Sequence, residues 1–280
     1  VLGLILALVS SVTYGCADFA GGLATRGAHV LRVVAVAAPV SLVLELLLLP
    51  VVGGHWSASA VWWGVASGVA SAASFALLYQ CLALGPMSVL SPVTALISAV
   101  LPATVGLLLG ERLGWLSGSA VVLALVSVLV ITAAGEEGGL RPTLTALMLA
   151  LGAGLAIAAQ LVCLARAPHA SGVVPLVVGR GVSTGLLLLA FLFATGHLGP
   201  DRPHVWMTVV AGVMDATANS SFLFAVRHGS LVVVAVITAL YPASTVLLAR
   251  FVLGERLARI QVAGLLLAAV AVSVLAVAPA

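Results

Sequence analysis

Nine short breaks, rich in Gly, Pro and charge, cut this chain into ten apolar runs. The runs cover about 1–22, 30–52, 60–84, 87–110, 115–134, 143–165, 172–195, 205–226, 230–253 and 258–278. The hydrocarbon core of a bilayer is about 30 Å thick and takes about 20 helical residues to cross, so each run is long enough to span it. Strands are excluded because the apolar residues run continuously, whereas a membrane barrel alternates them. Connections of about five to eight residues leave no room among the 280 for a folded aqueous domain.

Charge is correspondingly scarce. Eleven basic and eight acidic residues make 19 of 280, or 7%, against roughly 25% in soluble domains. So few groups cannot cover a water-exposed surface. A mean apolar content of 63% rules out disorder, and the lack of any basic run rules out a nucleic-acid partner. Every basic residue is Arg, scattered singly, so the pI near 9.1 says nothing about an acidic partner. Cys16, Cys81 and Cys163 are far apart inside apolar runs, with neither metal-ligand spacing nor a disulfide framework. No metal or cofactor is expected. The first run lacks a basic leader region, and Tyr14 stands where a lipoprotein cleavage site needs a small residue, so it reads as a retained helix.

The chain repeats itself. An ungapped slide of 144 residues pairs Trp62 with Trp206, Gly68 with Gly212, Gly85 with Gly229 and Thr94-Ala95-Leu96 with Thr238-Ala239-Leu240. It also pairs Leu109-Gly110-Glu111-Arg112-Leu113 with Leu253-Gly254-Glu255-Arg256-Leu257, two charges recurring in one context. The expected units are 1–134 and 143–280. Five helices is an odd number, so the second unit must cross the membrane in the opposite sense. The expected fold is therefore an all-α polytopic membrane protein of ten transmembrane helices, arranged as two inverted five-helix repeats. Transporters built this way bind solutes at the repeat interface near the midplane. Loops opposite the termini carry Arg26, Arg141, Arg202, Arg256 and Arg259, against Arg112, Arg166 and Arg227 on the other side, which points to termini outside.

The segment Leu240-Tyr241-Pro242-Ala243-Ser244-Thr245, followed by Leu253-Gly254-Glu255-Arg256-Leu257 and Gln261, resembles the end of EamA-type members of the drug/metabolite transporter superfamily. Pro102 followed by Leu109-Gly110-Glu111-Arg112-Leu113 repeats that signature in the first half. Tyr14-Gly15-Cys16-Ala17-Asp18-Phe19 occupies the place of the family's aromatic-Gly opening, with its usual Trp replaced. The resemblance implies a multi-pass transporter of the cell membrane with both termini cytoplasmic, against the Arg count. It also implies a cavity walled by helices 1–4 and 6–9, with helices 5 and 10 outside it. The family's solutes range over amino acids, other metabolites, nucleotide sugars and organic cations.

Ionisable groups inside apolar runs each cost about 2.5–3.5 kcal/mol at the bilayer centre, so Asp18, Glu45, Arg180 and Asp215 should face the bundle interior. Thr208, Asp215, Asn219 and Phe222 form one stripe of the eighth run. The slide maps Ser71 onto Asp215, so a carboxylate replaces a small hydroxyl at the related position. Packing does not require that carboxylate; it can hold a proton, meet a cationic group of a solute, or pair with Arg180. Ser11, Tyr14 and Asp18 form a second stripe, with a capping role open to Asp18. Arg180 can clamp a carboxylate or neutralise Asp215 or Glu45. Gln80 and Gln160 are expected as polar contacts or interhelical bonds. Glu111 and Glu255 read as helix-end caps.

Pro92, Pro102, Pro175 and Pro242 each free a backbone carbonyl and permit a kink, and Pro92, Pro102 and Pro242 are the candidate gating positions beside the cavity-lining candidate Tyr241. An intramembrane enzyme is disfavoured: all six His lie near run ends and no His-Glu-x-x-His occurs. A passive channel or facilitator is the other alternative. The expected protein is a secondary carrier of a small organic solute working by alternating access. Its candidate partners are the lipid bilayer, the small-molecule solute, a coupled proton and a second copy forming a homodimer.

Overall fold

The computed structural model describes residues 1–84, 87–133, 143–194, 204–252 and 258–277. These residues form eleven α-helices and no strand. The first half supplies α1 (Leu2–Arg26), α2 (Val30–Val52), α3 (Ala58–Leu84), α4 (Met87–Leu108) and α5 (Trp115–Ala133). The second supplies α6 (Leu144–Arg166), α7 (Val174–Ala194), α8 (Val205–Arg227), α9 (Leu231–Thr238), α10 (Tyr241–Val252) and α11 (Arg259–Val277). Among the described residues, eight stretches are long and apolar enough to cross a membrane, with Leu231–Val252 counted as one. The shorter apolar stretches Val93–Leu108 and Trp115–Ile131 lie in α4 and α5. The second Gly-Glu-Arg motif, Glu255-Arg256, lies outside the described residues, as do Gly85, Glu136, Glu137, Arg141, Arg202 and the side chain of Pro92.

Local chemistry sets the helix ends. His29, Thr143 and Ser230 accept backbone N–H bonds as N-caps of α2, α6 and α9. Gln261 reaches back to accept from the Ala258 N–H at 3.0 Å, closing the start of α11. Proline acts less uniformly than the sequence suggests. Pro175 is the second residue of α7, where its missing N–H has no helical acceptor to lose, so it starts a helix instead of kinking one. α4 runs unbroken past Pro102. The ninth run does break: α9 ends at Thr238, Ala239 and Leu240 form a turn, and α10 resumes one residue before Pro242.

The packing pairs cross between the halves. α1 lies along α8 and α3 along α6; α2 packs on α7 and α8, and α3 on α7. α4 meets α6 and α9, α1 meets α9 and α10, and α5 packs on α11 at the side. Glycine permits the close approaches. A Cβ on Gly68 would stand 2.8 Å from Cβ of Val182 on α7, and one on Gly212 would stand 2.9 Å from Cβ of Val40 on α2. Each glycine thus brings its helix against the backbone of a helix from the other half.

One end of the bundle is tied together by loops. The His55 N–H donates to the Ala170 carbonyl at 2.9 Å, and that of Val173 to the Gly53 carbonyl at 3.2 Å. Both Gly53 and Gly172 have positive φ, a conformation glycine adopts without strain. Arg227, closing α8, donates to the Gly172 carbonyl at 2.5 Å. At the same end Glu111 bridges the halves, its Oε1 and Oε2 accepting from Leu231 N–H at 2.8 Å and Val232 N–H at 2.9 Å. Gly106 makes room, since a Cβ there would stand 2.8 Å from Glu111 Oε2. The expected cap is therefore present at Glu111, on a helix of the opposite half.

Candidate functional site

Charge inside an apolar bundle must be compensated where it lies. Arg180 on α7 is 3% exposed and compensates two acids: its Nη2 stands 2.5 Å from Asp215 Oδ2, and its Nε 3.5 Å from Glu45 Oε1. Its Nη1 donates to Ser71 Oγ at 3.2 Å, and the guanidinium lies 5.2 Å from the centroid of the Phe75 ring. Four helices, α2, α3, α7 and α8, are joined through this one side chain.

Asp215 is held from every side. Ser41 Oγ on α2 donates to its Oδ2 at 3.0 Å, and Asn219, one turn along α8, donates to its Oδ1 at 3.1 Å. Asn219 extends the chain of polar groups: its Oδ1 accepts from Gln160 Nε2 on α6 at 2.6 Å and from the Tyr14 hydroxyl on α1 at 2.8 Å. Thr208, Asp215, Asn219 and Phe222 are all buried, as one stripe of α8 requires.

Beside this network is a cavity of about 40 Å³. Both halves line it. Tyr14, Asp18, Phe75, Tyr79 and Ser98 come from the first, and Gln160, Asp215, Thr238, Ala239 and Tyr241 from the second. The break between α9 and α10 thus falls on the cavity wall. Among the described residues, none of α5 or α11 lines it. Asp18 is 6% exposed yet makes no hydrogen bond or ion pair with any described residue. Glu45 and Arg180 sit about two turns from the ends of α2 and α7 that join the tied loops. The ion cluster therefore lies between the cavity and the tied end.

The structure brings Asp215, Arg180, Glu45, Asn219, Gln160 and Tyr14 into one network, and Asp18 and Tyr241 onto the wall beside it. Gln80 is elsewhere: it is exposed on α3 and does not line this cavity, because its neighbour Tyr79 holds the inward face. Pro102 is buried within α4, away from the lining. Sequence reasoning missed Ser41, Phe75 and Tyr79. Ser41 stands out as a hydroxyl four residues from Glu45, one turn away on the same face; the two aromatics have no distinguishing signal inside an apolar run.

A bundle of membrane-length apolar helices that encloses buried charge and a cavity shared by two halves is a multi-pass membrane protein. Residues 144–277, a little under half of the chain, match the model of the EamA-like transporter family. Twenty-eight chains of known structure also match. One of them, described only as "Crystal structure of protein", superposes with a TM-score of 0.75 at 15% identity, covering 98% of this chain and 96% of that one. At that identity the likeness shows the fold. No curated protein matches the chain.

Proposed function

We propose that this protein is a secondary active carrier of the cell membrane, moving a small organic solute by alternating access between two inverted five-helix halves, with a proton as the coupling ion. The observation that carries this reading is the cavity lined from both halves, with carboxyl groups on its wall. Alternating access needs a site that two bodies share, so that their relative movement exposes it to one side and then the other.

The packing supports inversion. Exchanging α1 with α6, α2 with α7, α3 with α8 and α4 with α9–α10 maps the contact α1–α8 onto α6–α3, and α2–α8 onto α7–α3. Gly68 and Gly212, paired by the slide of 144, occupy equivalent places in those contacts. The end of α2 and the start of α7 meet at the tied end, as oppositely directed units require. Trp62 and Trp206, exposed near the starts of α3 and α8, would then anchor at opposite membrane surfaces. The tied loops support a state that opens away from them.

A proton is favoured as coupling ion because the cavity region holds three carboxyl groups, Asp18, Glu45 and Asp215, against one guanidinium. Buried acids in excess of their counter-charges provide a place for protons to bind and leave. Reconstituted liposomes test the reading. Pooled amino acids, nucleobases and organic cations are offered with and without a pH gradient. Saturable uptake that is accelerated by unlabelled solute preloaded on the opposite side is expected. Absence of flux for every pool under every gradient overturns it.

A further inference from the structure

We propose that Asp18, and not the more heavily bonded Asp215, is the solute-binding acid, and that the cavity takes a small organic monocation: an ammonium head on a short aromatic or apolar body. This is the solute site of the proposed carrier, and it rests on that function for every step after binding.

The two carboxylates differ in how they are satisfied. Asp215 receives Arg180, Ser41 and Asn219, which together occupy both of its oxygens. Its charge is already compensated by Arg180, and three of about four acceptor sites on a carboxylate are filled. Asp18 is nine-tenths buried, faces the cavity and has no bonded partner among the described residues. An ionised carboxylate held this way has no counter-charge among the described side chains, and a cation entering the cavity supplies it.

The surroundings of Asp18 form a cradle. Gly15 and Gly21 stand three residues before and after it, so both glycines flank its face of α1. At Gly15 the Tyr241 backbone and Ser244 come so close that a Cβ would stand 2.9 Å from Ser244 Cβ. At Gly21 the Tyr79 ring lies against the helix, with a would-be Cβ 2.7 Å from its Cε1. The two missing side chains let aromatic residues close in on either side of the carboxylate. Tyr14, Phe75, Tyr79 and Tyr241 all line the cavity, with the Phe75 and Tyr79 rings edge to face at 5.6 Å and those of Tyr14 and Tyr241 6.4 Å apart. Aromatic faces attract an ammonium that has shed its water, and they also accept an apolar body.

The excess of negative charge gives the sign of the ligand. Arg180 is already ion-paired with both Asp215 and Glu45, so its single positive charge is outweighed by theirs and does not call for an anionic ligand. A small ligand is required because the cavity is narrow.

Equilibrium binding to the purified full chain in lipid nanodiscs tests the proposal, by calorimetry with 2-phenylethylammonium as probe. Its neutral counterpart 2-phenylethanol has the same body without the charge. The wild type is expected to bind the ammonium about tenfold or more tightly than the alcohol. Asp18→Asn should lose that preference while still accepting the alcohol. Equal binding of the two probes to the wild type overturns the proposal without relying on any variant, and so does an unchanged preference in folded Asp18→Asn. Binding needs no turnover. Ammonium binding without counterflow would sink the carrier function and leave this site standing, whereas counterflow of neutral or anionic solutes with no ammonium binding would do the reverse.

Discussion

Glu111 and Leu231 are 120 residues apart in sequence, yet Oε1 of the first accepts the backbone N–H of the second at 2.8 Å. The carboxylate's other oxygen takes Val232, so one side chain from the first half satisfies the opening N–H groups of α9 in the second. The acid of a Gly-Glu-Arg motif here joins one half of the protein to the other.

Glu111→Ala should therefore lower stability by about 1–2 kcal/mol, the usual worth of a cap reinforced by negative charge at a helix start. Gly106→Ala should act on the same contact, since its Cβ meets both Glu111 and Val232. Unfolding in detergent should show the two losses to be less than additive in the double variant. Strict additivity would show that Gly106 has nothing to do with the cap.

Arg180 neutralises two acids, and its removal leaves both uncompensated in a buried setting. Arg180→Met is expected to cost about 3–5 kcal/mol, and Arg180→Lys to restore only part, because one ammonium cannot reproduce a planar fork reaching Asp215, Glu45 and Ser71 at once. Adding Glu45→Gln and Asp215→Asn to Arg180→Met should recover most of the loss. Recovery measured by chemical unfolding separates charge compensation from simple packing.

Asp18 and Asp215 should respond oppositely to amide substitution. Asp18→Asn removes an unpaired charge and should leave the folded protein as stable as wild type or more so. Asp215→Asn breaks an ion pair and its hydrogen bonds, at a cost of about 1–3 kcal/mol. Thermal unfolding of the two variants side by side checks the ranking. A large loss in Asp18→Asn would reveal a partner for that carboxylate.

Gly15→Ala should cost more than Gly21→Ala. The first places a methyl against the Tyr241 backbone and Ser244, which cannot yield without separating α1 from α10; the second meets the far end of the Tyr79 ring, which can swing. Gly21→Ala should accordingly express and fold while pushing Tyr79 into the cavity. Reduced solute uptake at near-normal yield is the expected result.

The spans could be read from the sequence because water-lipid partitioning is a property of each segment alone. The network around Arg180 was partly readable for the same reason: a charge in lipid has to find company, and the described structure supplies Asp215 and Glu45. Its geometry was not. Ser41 comes to Asp215 only because Gly212 lets α2 and α8 touch, and no local pattern records a contact 174 residues long. The same holds for the partner of Glu111. Gln80 and Tyr79 show how one residue of helical rotation, about 100°, decides which side chain meets the cavity. The break before Tyr241 was half visible: Pro242 marks the region, but a proline in the first turn of α10 follows the break instead of causing it.

The tied end has a thermodynamic consequence. Its cross-loop fastening consists of a few hydrogen bonds, those of His55, Val173, Arg227 and the two made by Glu111. Net contributions near 1 kcal/mol each place the whole latch at roughly 5 kcal/mol, close to the approximately 5.5 kcal/mol that inverts a two-state equilibrium from 1:99 to 99:1. Under the proposed alternating access, one ligand binding the open state more tightly by that amount would bring the fastening to balance, and opening it fully would take more.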